Sequence, residues 1–105
     1  MLNRKKLEEA DKKYRAELSA INDDLAKMVF TGKMVLNTTF HNNMLDKSKE
    51  HIESIFWDMS ALQDIRNFFI VSPKIEQKLK NYRSFIELHK KIADTWFNKH
   101  TQKTK

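Results

Sequence analysis

The sequence predicts an all-α protein, an antiparallel bundle of three long helices plus one short helix. One glycine and one proline in 105 residues leave few positions for the tight turns that a many-stranded β protein requires. Apolar residues recur at steps of three and four, which is the spacing of one helix face. Hydrophobic residues make up 40% of the chain, enough for one modest core. We expect a single domain over residues 1–105, with a frayed basic tail from about residue 99.

The first helix is expected over about residues 3–30. Asn3 can cap its start, because the side-chain oxygen accepts a bond from an unpaired N–H group, and Gly32 is a natural stop. A nearly heptad stripe of apolar residues can form a coiled-coil dimer or pack inside the chain's own bundle, and we favour the bundle. The stripe consists of Leu7, Ala10, Tyr14, Leu18, Ile21, Leu25 and Met28.

Residues 31–45 are the least regular part of the chain. Thr and Val residues with branched Cβ atoms and the pair Asn42-Asn43 disfavour a helix here. Leu36, Phe40 and Met44 nevertheless lie four residues apart, which is helical spacing. We therefore predict that this segment contains the short helix.

Two further long helices follow from the same spacing. The second is expected from about residue 46 or 48 to residue 67, with an apolar stripe of Ile52, Ile55, Phe56, Met59, Leu62, Arg66 and Phe69. The third is expected to begin at Ser72-Pro73, a capping hydroxyl followed by a residue that needs no N–H partner, and to end near residue 98. Its stripe is Ile75, Leu79, Tyr82, Ile86, His89, Ala93 and Trp96.

The second long helix carries large apolar residues on two sides. At about 100° per residue, Trp57 and Phe68 lie about 140° and 160° from Ile52. One explanation is that the short helix, through Leu36, Phe40 and Met44, packs over them; an isolated monomer rarely leaves such patches exposed. The alternative is a partner or self-association surface, because Trp and Phe are enriched at the energetic centres of interfaces.

The positive charge is concentrated near the C-terminus. Residues 72–105 contain nine Lys or Arg against three Asp or Glu, and the whole chain has a net charge of +6. The expected electrostatic contacts are Lys74, Lys78, Arg83, Lys90 and Lys91. They suit an acidic protein or, as an alternative, a nucleic-acid backbone. Lysine dominates over arginine, which disfavours forked recognition of bases.

Catalytic and metal chemistry has little support in the sequence. One glycine excludes a glycine-rich phosphate loop, and no cysteine is present to form a disulfide or a thiolate site. The four histidines lack metal-ligand spacing, and His89 is expected at the core edge, bonded to a backbone or carboxylate group. We predict no cofactor, no metal and no enzyme activity, and no transmembrane segment in a soluble cytoplasmic protein.

Because the sequence gives little support to catalysis or metal binding, the functional prediction is a non-enzymatic protein–protein interaction module. Trp57 and Phe68 are the expected apolar anchors, beside the basic residues of the third helix. The size, basicity and helical form are similar to those of bacteriocin immunity proteins, which implies an inhibitor, an immunity-type protein or an accessory subunit. A homodimer is compatible with the same surfaces, and nucleic-acid binding through the basic helix is the alternative function.

Overall fold

A computed structural model of the chain describes residues 3–30 and 38–103, with side chains described up to residue 99. Within these ranges the protein is all-α: α1 spans Arg4–Phe30, α2 spans Thr38–Ala61 and α3 spans Phe68–Lys103. A 3₁₀ turn at Ile65–Asn67 precedes α3, and the described residues contain no strand. The predicted all-α class is confirmed.

The long helix α3 contacts both α1 and α2. Along α1, Tyr14 bonds to Ser72 and Glu76, while the Tyr82 hydroxyl donates to Asn22 at 2.8 Å. Along this contact, the residue numbers of α1 and α3 therefore increase in the same direction.

Contacts between α2 and α3 run in the opposite order. Asp58 lies 2.6 Å from the ammonium group of Lys78, and the His51 and Tyr82 rings stack with centroids 5.3 Å apart. Along this contact, the residue numbers of α2 and α3 therefore increase in opposite directions.

The core lies along the three inward helix faces. Ile55, Ile75 and Tyr82 have no exposed surface, and the heptad stripe of α1 packs into the chain's own core. The buried apolar residues are Leu7, Tyr14, Leu18, Ile21, Met28, Met44, Ile55, Met59, Leu62, Val71, Ile75, Leu79, Tyr82, Ile86 and Ala93. The Asn3 cap is also confirmed, because its side-chain oxygen accepts from the Lys6 amide at 3.0 Å.

The predicted short helix is not a separate element where it is described. Residues 38–45 form the first two turns of α2, and residues 31–37 lie outside the described ranges. Met44 and Ser48 are both about 1% exposed and share the inward face, so packing overrides the weak helix propensity of this stretch. Asn42 and Asn43 face solvent.

The second helix ends at Ala61, six residues before the predicted end. The Leu62 and Gln63 amides donate to Met59 and Ser60, three residues back, which tightens the chain into a turn. Asn67 then donates its side-chain amide to the Ala61 carbonyl at 3.2 Å. Helix termination therefore uses local polar side chains rather than glycine or proline.

The third helix begins at Phe68, ahead of the predicted start at Ser72. The Ser72 side chain is buried and bonds to Tyr14, so it serves the core rather than a helix cap. Pro73 lies within the second turn, where its missing N–H costs the Phe69 carbonyl a helical partner. At the other end α3 continues to Lys103, beyond the predicted end near residue 98.

The packed helices form a rod that measures 63 × 19 × 17 Å. Its radius of gyration is 17.2 Å, whereas a compact domain of this length has about 13 Å. A rod of this kind exposes long outer helix faces, and the candidate sites lie on them.

Candidate interaction surfaces

Trp57 projects outward from α2 and is 80% exposed. It follows Ile55, which is fully buried, by two residues, or about 200° around the helix. Phe40 and Met44 were expected to cover it, but they precede it on the same helix by 17 and 13 residues, about 25 and 20 Å. That explanation is wrong for these two residues; Leu36 lies outside the described ranges.

Phe68 does not share the Trp57 surface. It is the first residue of α3, is half-buried against the core, and meets the Phe69 ring edge-on with centroids 5.5 Å apart. The angular count that paired it with Trp57 fails because α2 ends at Ala61. Phe69, which the sequence placed in the buried stripe, is 74% exposed.

The residues around Trp57 are acidic. Glu53, Glu50 and Asp46 lie within about 40° of it and are all exposed; with Trp57 they form what we call the α2 outer face. Lys49 approaches Glu53 at 4.0 Å from one edge of this face, and Lys47 approaches Glu50 at 3.4 Å from the other. Exposed pairs of this kind contribute little energy, so the carboxylates remain available to a partner.

The five basic residues predicted as contacts separate into three groups. Lys78 pairs with Asp58, whose side chain is only 14% exposed, so this lysine serves the α2–α3 interface. The exposed residue Leu88 marks the outward side of α3. Arg83 and Lys90 are exposed at about 140° and 160° from it around the helix, toward the α1 side of α3. Lys74 and Lys91 are exposed on the outward side of α3.

Two lysines that the sequence analysis did not single out join Lys74 and Lys91. Lys80 and Lys99 are also exposed on the outward side of α3. We call Ile70, Lys74, Lys80, Leu88, Lys91 and Lys99 the α3 outer face. The position of these lysines could have been predicted from the sequence. When angles around α3 are counted from Leu88 instead of from the apolar stripe, all four lysines fall on the outward side.

Five rings form a continuous cluster between α2 and α3. His89 lies 5.4 Å from Phe40 and 4.1 Å from Phe85, and His51 lies 5.1 Å from Phe85 and 5.3 Å from Tyr82. The Nδ1 atom of His89 is 2.9 Å from the Phe85 carbonyl oxygen, which confirms the expected core-edge role with a backbone partner. Burial lowers the pKa of His51, with Lys47 acting in the same direction and Glu50 against it.

A polar cluster joins α1 to α3, with Tyr14 and Ser72 buried and Glu76 exposed. The Tyr14 hydroxyl is bonded to Ser72 and donates to a Glu76 carboxylate oxygen at 3.0 Å. Burial raises the pKa of Tyr14, so its hydroxyl stays protonated and can donate at neutral pH. These groups satisfy one another and form a structural link between the helices.

A cleft of about 610 Å³ opens where the start of α1 meets the turn after α2. Its walls include Arg4, Leu7, Gln63 and Arg66. Arg66 was expected in the apolar stripe, but it is exposed and forms a forked pair with Asp64, 2.7 Å between the closest atoms. That bond raises the pKa of Arg66 and lowers the pKa of Asp64, so both charges are engaged in holding the turn.

No group of three or more His, Cys, Asp or Glu side chains that could hold a metal ion occurs in the described residues. Within the same ranges, no helix has both the length and the apolar character needed to cross a bilayer.

No protein-family model, curated protein or solved structure matches this chain. The function of the chain is therefore inferred from the exposure and charge of its described surfaces.

Proposed function

We propose that the protein is a non-enzymatic protein–protein interaction module that binds its partner through the α2 outer face. The supporting observation is Trp57, which is 80% exposed at the C-terminal end of a line of acidic residues on α2. Burying an indole side chain against a partner releases a large apolar area from water, and Trp is the residue type most enriched at interface hot spots.

The surroundings of Trp57 specify the chemistry of the partner. Asp46, Glu50 and Glu53 extend from the indole toward the start of α2, so a complementary protein has an apolar pocket for the ring and Lys or Arg residues along one side of it. The acidic partner expected from the sequence does not suit this face. An inhibitor, an immunity-type protein or an accessory subunit would each use such a docking helix.

The test compares two exposed aromatic residues in the same chain. Phe30 is 88% exposed at the end of α1, so Phe30→Ala removes a ring of comparable exposure from another place. Tagged wild-type protein, Trp57→Ala and Phe30→Ala are used to isolate complexes from cells of the source organism, and retained proteins are identified by mass spectrometry.

We expect wild type and Phe30→Ala to retain a common protein that Trp57→Ala does not retain. For that protein, Trp57→Ala should weaken the binding free energy by about 2 kcal/mol or more. The purified partner must then bind wild type directly in a titration. Equal retention by all three proteins, with Trp57→Ala still folded, would exclude the α2 outer face as the binding surface.

A further inference from the structure

The α2 outer face lies level with an exposed apolar residue of α3. His51 contacts Phe85, with ring centroids 5.1 Å apart, and this contact fixes the register of the two helices. Leu88 follows Phe85 by three residues and the helices run in opposite directions, so Leu88 is level with the turn of α2 from Asp46 to Glu50. Because Leu88 is 55% exposed, an aliphatic side chain lies beside the acidic part of the α2 outer face.

Trp57 lies on the side of α2 that is nearer to α3 than to α1. It is about 100° around the helix from Asp58, which pairs with Lys78 of α3. It is about 160° from Met59, which lines a cavity together with Leu7 of α1. A partner that covers the indole is therefore brought toward α3.

Leu88 is displaced toward α2 in the same way. It is about 60° from Phe85, which contacts α2, and about 120° from Glu76, which bonds to Tyr14 of α1. Ile92 is half-buried and lies about 40° from Leu88 on the α2 side. Phe85, Leu88 and Ile92 are spaced by three and four residues, so they form a second apolar strip along α3.

We infer that the partner docks a basic amphipathic helix between the α2 outer face and this strip of α3, an inference that rests on the function proposed for Trp57. The apolar side of the docked helix contacts Trp57 and the strip, and its Lys or Arg residues contact Asp46, Glu50 and Glu53. We call this site the outer α2–α3 groove. Its two sides differ in chemistry, so they fix the orientation of the docked helix about its own axis.

The dimensions and surroundings of the groove suit a helix. Asp46 and Trp57 are 11 residues apart, or about 16 Å along α2. A helix of average length, about 10 to 14 residues, is about 15 to 21 Å long. An extended peptide binds mainly by adding to the edge of a sheet, and residues 3–30 and 38–103 contain no strand.

Two lysines border the groove and determine which way the docked helix faces. Lys47 lies on the flank of α2 toward α3, 3.4 Å from Glu50, so its charge is partly balanced. Lys91 lies about 60° from Leu88, on the side of α3 away from α2. Both would repel a basic side chain placed over α3, so the basic side of the docked helix lies over α2.

Ile70 is a matched control for Leu88. The two residues are 18 positions apart, which is about five helical turns, so they lie on the same side of α3. Ile70 is 63% exposed and Leu88 is 55% exposed. The Asp58–Lys78 contact places Ala61, the last residue of α2, level with about residue 75, so Ile70 lies beyond the end of α2. The two side chains therefore differ mainly in their position along the rod.

The experiment uses as its probe the protein that wild type retains and Trp57→Ala does not. The purified probe is titrated calorimetrically into wild type, Leu88→Ser and Ile70→Ser. The chain has no cysteine, so Ser84→Cys, one turn from Leu88, can carry a photoreactive benzophenone that cross-links the probe. Mass spectrometry then locates the cross-linked segment. Circular dichroism verifies that the variants stay helical.

We expect Leu88→Ser to weaken binding of the probe by about tenfold, because an aliphatic side chain at the interface is replaced by a polar one. Ile70→Ser should stay within about twofold of wild type, since its side chain lies outside the groove. The cross-linked segment should carry Lys or Arg along one side at helical spacing. A synthetic peptide of that segment should gain helix when it binds wild type.

Two results would overturn the inference and leave Trp57 as the binding residue. One is an equal effect, or an equal lack of effect, of Leu88→Ser and Ile70→Ser. The other is a cross-linked segment that is acidic or stays non-helical when bound. If no retained protein depends on Trp57, the proposed function fails, and the docking of a helix in the outer α2–α3 groove fails with it.

Discussion

The inner and outer faces of α2 differ sharply over a very short distance. Ile55 is fully buried and Trp57 is 80% exposed, although only one residue separates them. Their positions differ by about 200° around the helix, so one side chain faces α3 and the core while the other faces solvent. The comparison shows that in a rod this thin a large apolar residue is buried only if it lies on the single inward stripe.

The largest effect is expected on the inner face. Ile55→Ala removes buried methyl groups from a tightly packed position and should lower the free energy of unfolding by about 3 kcal/mol. Urea unfolding followed by circular dichroism measures the change. A decrease of less than about 1 kcal/mol in the free energy of unfolding would mean that the inward stripe of α2 contributes little to the stability of the core.

A smaller effect is expected at the edge of the same interface. Lys78→Ala leaves Asp58, whose side chain is 14% exposed, without its cation, and should cost about 1 to 2 kcal/mol because the site keeps some contact with water. The double variant Lys78→Ala with Asp58→Ala separates loss of the pair from exposure of an unpaired charge. If the double variant is no more stable than Lys78→Ala, the unpaired carboxylate is not the cause.

The ring cluster between α2 and α3 should make stability depend on pH. Burial lowers the pKa of His51 below its value in the unfolded chain, so the unfolded state takes up the proton more readily. The free energy of unfolding should therefore fall as pH decreases from about 7 to 5. Denaturant titrations across this range should show the fall in wild type and a shallower one in His51→Gln. The same slope in both proteins would assign the pH dependence to other groups.

The smallest effect on stability is expected on the outer face. Trp57→Ala should change the free energy of unfolding by no more than about 0.5 kcal/mol, because the indole is mostly in contact with water already. The same urea titration used for Ile55→Ala provides a direct comparison. A loss comparable to that of Ile55→Ala would show that the indole packs against the chain.

The sequence was informative where helix periodicity and packing agree. The all-α class, the Asn3 cap, the α1 stripe and the central part of the α3 stripe were all predicted from spacing, since a buried helix face imposes that spacing. Trp57 was also predicted to point away from the inward stripe.

The failures occurred where local hydrogen bonds compete with periodicity. Asp64 and Asn67 end α2 and start a new turn. Phe68, which was expected on the outer side of α2, is therefore the first residue of α3. Ser72-Pro73 has the composition of a helix start, but the Ser72 hydroxyl is bonded to Tyr14, 58 residues away in the chain. Angular counts remain valid only within one uninterrupted helix, and a single sequence does not reveal such distant partners.

The position of α3 between the other two helices has a consequence for the order of folding. The Asp58–Lys78 contact closes a loop of 20 residues, whereas the contacts of Tyr14 and Asn22 with α3 span 58 to 62 residues. Closing the shorter loop costs less chain entropy, so the α2–α3 hairpin should form first and α1 should dock onto it afterwards. A ribosome that releases the chain from its N-terminus would thus expose α1 in the cell before its docking surface has been synthesised.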